Sequence, residues 1–139
     1  MAYEESLRSI SLDADSSLAG YTGVPGTPGS AEPNNGKAQY RFVKVTGRHQ
    51  VGLATANTDL VVGVAQNKPQ VDGQAVTVAI AGVSNVIAGA AITAGDKIST
   101  DATGRAITTP GTGTPLVLGI ALTSATVAGE LVSVLLRVN

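Results

Sequence analysis

The sequence predicts an all-β fold, a small β-barrel or β-sandwich built from a duplicated strand-turn-strand unit and preceded by an extended N-terminal arm. The first observation behind this is internal repetition. Gly63-Val64-Ala65 recurs as Gly119-Ile120-Ala121, and Gly73 with Val76 and Val78 recurs as Gly129 with Val132 and Val134, both at an offset of 56 residues (119 − 63). Leu60-Val61-Val62 against Leu116-Val117-Leu118 keeps that register, while Thr46-Gly47-Arg48 against Thr103-Gly104-Arg105 slips it to 57 (103 − 46). The second observation is spacing: short apolar runs are separated by turn residues, and no helical period competes with them. The third is composition. Tyr3, Tyr21, Tyr40 and Phe42 are the only aromatics, so beyond residue 42 the core must pack with Val, Ile, Leu and Ala. Such side chains each bury little area, so a lone subunit is expected to be marginal and to gain from association.

The 139 residues make one domain of ordinary size, divided at Gly36 into an arm, 1–36, and a body, 37–139. In the arm, Leu7, Ile10, Leu12 and Leu18 stand in a polar background too irregular for a helix or a strand, and read as a sticky anchor. From residue 19 to 36 the chain is mostly Gly, Pro, Ser, Thr and Asn, with Pro25, Pro28 and Pro33 lacking backbone donors. That composition cannot build a core and is expected to be extended. The start, Met1 to Glu5, is acidic with no apolar segment, so no secretory signal is expected.

In the body, strands are predicted at 38–45, 50–54, 60–66, 74–81, 84–87, 97–100, 105–109, 116–123 and 130–138. Asp72-Gly73 reads as a two-residue hairpin turn with positive φ at both positions, and Gly129 occupies the corresponding place in the second copy. Gly95-Asp96 marks a further turn. Pro69, Pro110 and Pro115 fall between strands, where no ladder bond is lost. The longest uncharged stretch, 73–95, has the length of a membrane span, but Val76, Val78 and Ile80 alternate at period two and glycines interrupt it, so no membrane partner is expected.

The net charge of −1 is the sum of two opposite parts, −4 over residues 1–36 and +3 over residues 37–139. Either both are solvated surfaces, or acidic arms dock on basic patches of neighbouring subunits and weaken with salt. The second reading makes Glu4, Glu5, Leu7, Ile10, Leu12 and Tyr21 candidate contacts on the arm, and Lys37, Arg41, Lys44 and Arg48 candidate contacts on the body. Those four cations are also the one argument for nucleic-acid binding, but a body of +3 almost without aromatic stacking platforms speaks against it.

Residues for chemistry are sparse. There is no cysteine, His49 stands alone, and Gly111-Thr112-Gly113 lacks the third glycine of a dinucleotide loop. Asp96 and Asp101 could ligate a cation, yet a tight turn accounts for them more simply. Neither an enzyme nor a cofactor is expected.

The ordered set Gly63-Val64-Ala65, then 73–80, then 82–95 leading into Ala94-Gly95-Asp96-Lys97-Ile98, then Gly104-Arg105-Ala106, and finally Gly119-Ile120-Ala121 on to Leu136 resembles the capsid cement or head decoration proteins of tailed bacteriophages, over about residues 38–138. The resemblance implies a β-rich virion protein, made in the host cytoplasm, that sits on the outer surface of the head. It implies the major capsid protein as partner, bridging of neighbouring capsomers, and a homotrimer. The long Gly/Pro-rich arm departs from that pattern. An alternative is a tail or fibre adhesion module binding host glycans, against which the lack of aromatics after Phe42 argues.

Overall fold

The computed structural model describes Ala2 and residues 4–18 and 38–137. Among the described residues there are nine strands and no helix: β1 (Glu5–Ala14), β2 (Phe42–Gly47), β3 (Gln50–Leu53), β4 (Val61–Ala65), β5 (Ala75–Ile87), β6 (Lys97–Thr100), β7 (Ala106–Thr108), β8 (Gly119–Ala121) and β9 (Leu131–Leu136). The fold is all-β, as predicted. Tyr21 and Lys37 lie outside the described residues.

All nine strands join one sheet in the order β1-β3-β2-β4-β5-β9-β8-β6-β7, with β1 also paired to β5. That extra pairing closes the first five strands into a ring. β1 runs antiparallel to β5 from Glu5↔Val83 to Asp13↔Ala75 and meets β3 in parallel at Asp13↔Gln50 and Ala14↔Val51. Residues 5–14, assigned by sequence to the arm, are therefore part of the body's sheet.

The second half repeats the first strand by strand. Val64↔Ala79 and Ala65↔Val78 between β4 and β5 become Ile120↔Leu135 and Ala121↔Val134 between β8 and β9, at the offset of 56 (120 − 64). Val43↔Leu53 between β2 and β3 becomes Ile98↔Thr108 between β6 and β7, at 55 (98 − 43). This corrects the alignment of Thr46-Gly47-Arg48 with Thr103-Gly104-Arg105. The hairpin has the same length in both copies, the one extra residue of the second copy falling between β7 and β8, and the counterpart of Gly104 is His49, both at positive φ.

β1 also has a counterpart, and it is the second half of β5. Ala14 donates to the Gln74 carbonyl and accepts from the Gly73 N–H; Ala88 donates to the Glu130 carbonyl and accepts from the Gly129 N–H. The parallel bridge Ala14↔Val51 recurs as Ala88↔Ala106. So β5 ends the first five-stranded unit and begins the second. Pairing with β9 begins at Gly82 (φ 97°) and runs from Gly82↔Leu136 to Ile87↔Leu131, overlapping the last β1 pair, Glu5↔Val83. The sequence reading had split this strand in two.

The rings differ at one seam. In the first, the Asp13 N–H bonds the His49 carbonyl at 2.9 Å. In the second, residues 40–42 of the first unit occupy that place: the Ile87 N–H goes to the Tyr40 carbonyl (2.8 Å), and the Phe42 N–H takes the Gly104 carbonyl (2.7 Å). Gly104 must be glycine, since a Cβ there would lie 2.8 Å from the Phe42 carbonyl oxygen. Its counterpart His49 stands exposed and tolerates a side chain.

Two core clusters fill the interior, one around Phe42, Ile98, Val132 and Val134, the other around Leu18, Val43, Val51 and Val78. Alternation along β5 and β9 accounts for this, since Val76, Val78, Val132 and Val134 all point inward and are fully buried. Asp72-Gly73 is not a hairpin of its own. Gln74 N–H closes a turn on the Val71 carbonyl, and only Gly73 (φ 86°) is left-handed, with Gly129 (φ 95°) matching it.

Buried Gly63 and its repeat mate Gly119 sit against the neighbouring strand so closely that an added Cβ would run into the Ala79 and Leu135 carbonyl oxygens respectively. Chemical denaturation of Gly63→Ala should show a loss of roughly 2 kcal/mol or more, because backbone cannot yield as a flexible side chain can. Gly111→Ala, at open space, should stay within about 0.5 kcal/mol of wild type. Equal stability of the two variants would contradict the close approach.

Candidate functional site

No group of three or more His, Cys, Asp or Glu among the described residues could hold a metal ion. The feature with the character of a site is apolar, and it lies where the two copies meet. The loop before β4 is built around Asp59, whose Oδ2 accepts from the Thr55 N–H (2.8 Å), the Ala56 N–H (3.0 Å) and Lys44 Nζ (2.9 Å). Burial alone would raise the Asp59 pKa, but those donors hold it below the ordinary carboxylate value. The loop thereby ends rigidly and turns Leu60 outward, 79% exposed.

Its repeat mate Leu116 is fixed from two sides. Its N–H donates to the Asn57 carbonyl of the first copy (2.8 Å), and its carbonyl accepts from buried Ser99 Oγ (2.7 Å). Leu60, Val61, Leu116, Val117 and Leu118 then line a cleft of about 270 Å³. That volume suits an apolar side chain or two, and is small for a cofactor. Rigid backbone carrying exposed leucines is what an apolar anchor of a partner needs, since little ordering entropy remains to be lost.

The cations named from sequence do not form one open patch. Lys44 is ion-paired with Asp59, and Arg41 Nη1 donates to the Thr103 carbonyl at 2.9 Å. Arg48 is exposed in the β2–β3 turn. On β1, Glu5 pairs with Val83, Leu7 and Leu12 are half-buried against the core, and Ile10 is 42% exposed; Glu4, just before it, is exposed. Asp72 accepts from Gln50 Nε2, and Asp96, beside Gly95 (φ 96°), accepts from the Thr93 N–H and the Thr108 hydroxyl, so both serve turns. The only aromatics among the described residues are Tyr40, half-buried, and Phe42, fully buried, which leaves no exposed ring for a sugar there.

Sequence reasoning missed the cleft. It saw Leu60-Val61-Val62 and Leu116-Val117-Leu118 recur and placed both runs inside strands. The ladders start later, at Val61 and Gly119, and leave the leucines at the surface. Two equivalent leucines directly after turns were the available signal.

Asp101 is the polar anchor of the second copy, accepting from Thr103 N–H, Arg105 N–H and Arg105 Nε at 2.9, 2.9 and 2.8 Å. Burial would raise its pKa, but the Arg105 and Thr103 donors outweigh this and hold the carboxyl below its ordinary 3.8. A depressed native pKa contributes stability that is complete above the unfolded value and fades as pH falls through the native one. Asp101→Asn should therefore destabilise the protein at pH 7 by about 1–3 kcal/mol and flatten the acid limb of a pH–stability curve below about pH 4. An unchanged acid limb would show that Asp101 is not held in this way.

Comparison with known proteins accords with this picture. The phage cement protein family matches residues 31–138. Among solved structures, the head fiber gp8.5 N base in bacteriophage phi29 superposes with a TM-score of 0.63 at 24% identity over 94% of each chain, a shared fold. No curated protein matches. With β2 to β9 inside the matched region, the chain belongs to the phage cement protein family, whose role is structural and capsid-associated.

Proposed function

We propose that this protein decorates the outer surface of a phage head and ties neighbouring capsomers together, binding the major capsid protein and assembling as a homotrimer. The observation that carries the reading is the cleft of Leu60 and residues 116–118, an exposed apolar anchor on rigid backbone in a cement-family chain. Each such contact is modest. Repeated over a shell and linked through the decorating molecules, modest contacts add to a large collective stabilisation, because every second contact of a bridging molecule forms at high effective concentration. The Gly/Pro-rich stretch 19–36 adds reach toward a neighbouring subunit or the capsid surface. An adhesion role has no observation in its favour, since none of the described aromatics is exposed.

Undecorated heads of the parent phage supply the test. Wild-type protein should co-sediment with them to a saturating, lattice-defined level and raise their disruption temperature, and sedimentation of the free protein should give a trimer. Leu60→Asp combined with Leu116→Asp changes exposed positions only, so the variant should fold while its affinity for heads drops 10-fold or more. Heads that neither bind the wild-type protein nor gain stability from it would overturn the reading.

A further inference from the structure

The repeat makes it possible to ask what the first unit has that the second lacks, and the answer is length. Ala14 and Phe42 correspond to Ala88 and Lys97. Eight residues join the second pair and twenty-seven join the first, a surplus of nineteen. The second copy shows that the ring closes without them. The surplus equals residues 19–37, between the turn that ends at buried Leu18 and the point where the body resumes at Ala38.

Two further differences concern the strand at the end of that connection. The counterpart of β1 is continuous with the rest of β5 and cannot leave, whereas β1 connects to the other described strands through residues 15–41. β1 is also the less deeply seated of the two: among its described side chains only Ala14 is fully buried, with Leu7 and Leu12 half-buried, while Val83, Ser84 and Val86 of its counterpart are all buried. What holds β1 is chiefly its backbone ladder to β5 from Glu5 to Asp13. A ladder of this kind accepts any copy of the same strand equally well.

We infer that β1 is an exchangeable strand, passed between copies of this chain so that residues 5–18 of one subunit complete the first ring of the next. The seat cannot stay empty, because β1 and Leu18 cover Val76 and Val78, both fully buried. A second copy supplies the same Leu12, Ala14 and Leu18 in the same register, so exchange replaces each contact by its equal. The remaining cost is association, which falls where copies are held close together. Nineteen residues span at most about 60 Å when extended, enough to cross to an adjoining subunit. Exchange would then link decorating molecules to one another as well as to the head, and it rests on the decoration reading only for where it is most favoured.

The absence of cysteine allows a direct test. Ser11 and Thr77 are exposed register partners across β1 and β5. A chain carrying Ser11→Cys is co-expressed with a longer-tagged chain carrying Thr77→Cys, and the product is oxidised both in concentrated solution and on heads. Exchange predicts a disulfide-linked heterodimer in at least one arm, and predicts its loss when residues 20–36 are deleted from both chains. The double variant Ser11→Cys/Thr77→Cys in one chain, mixed with no partner, shows by intrachain oxidation that the positions can bond. An intrachain bond there, with no heterodimer in either arm, overturns the inference, as does a heterodimer that survives the deletion. Head binding is scored separately by co-sedimentation, so loss of exchange with normal binding sinks this inference and leaves the decoration reading standing.

Discussion

One strand carries two rings. β5 pairs with β1 and β4 through its first half and with β9 through its second, and the two sets meet at Gly82 and Val83, Gly82 being the one position of the strand with positive φ. Because the backbone continues through that point, neither unit can complete its sheet without holding the strand that begins the other. A chain whose core is aliphatic, with Phe42 its one buried aromatic among the described residues, thereby gains a shared interior. Long-range pairing of this sort is costly to form and cooperative once formed.

The duplication keeps ladder register except for shifts in the first copy near Arg8, Lys44 and Gly47, and it is looser where the two copies are joined. Residues 40–42 enter the seam of the second ring and require glycine at 104, while the same seam in the first ring is sealed by β1 itself. The carboxylate at this seam has changed strands: Asp15 accepts from Thr46 in the first copy, whereas in the second Asp101 stands at the position of Thr46, with Gly89 opposite it at that of Asp15. The paired leucines 60 and 116 line one cleft. In the proposed role, this is the region that meets the capsid, and it is braced by hydrogen bonds from both copies.

Much of the fold after residue 42 was legible in the sequence, because β-strands with one buried face alternate and end at Gly, Pro or Asp. The runs at 60–66, 97–100 and 130–138 each contain an observed strand, and 74–81 covers only the first half of β5. β1 was not legible. Its apolar residues fail to alternate because the ladder shifts register between Glu5 and Ser9 and Ser6 takes positive φ, and its Ile10-Ser11-Leu12-Asp13-Ala14 shares only the final alanine with Ser84-Asn85-Val86-Ile87-Ala88. Main-chain pairing, which any residue can supply, sets that equivalence. For the same reason Gly82 read as a break, although a strand can pass through a left-handed glycine. At the surface, the basic residues drew attention by charge, yet Lys44 and Arg41 are spent on their own chain, and the cleft was hidden inside runs that looked like strand.

The claim on which all of this turns is that β5 makes two units into one cooperative body. Native-state hydrogen exchange in low denaturant measures it directly, through the amides of Val78 and Ala79 in the first half of the strand and Val86 in the second. The account predicts that all three exchange only by global unfolding, with the same free energy and the same denaturant dependence. Exchange of Val86 through a separate, cheaper opening of residues 82–137 while Val78 and Ala79 stay protected would contradict it.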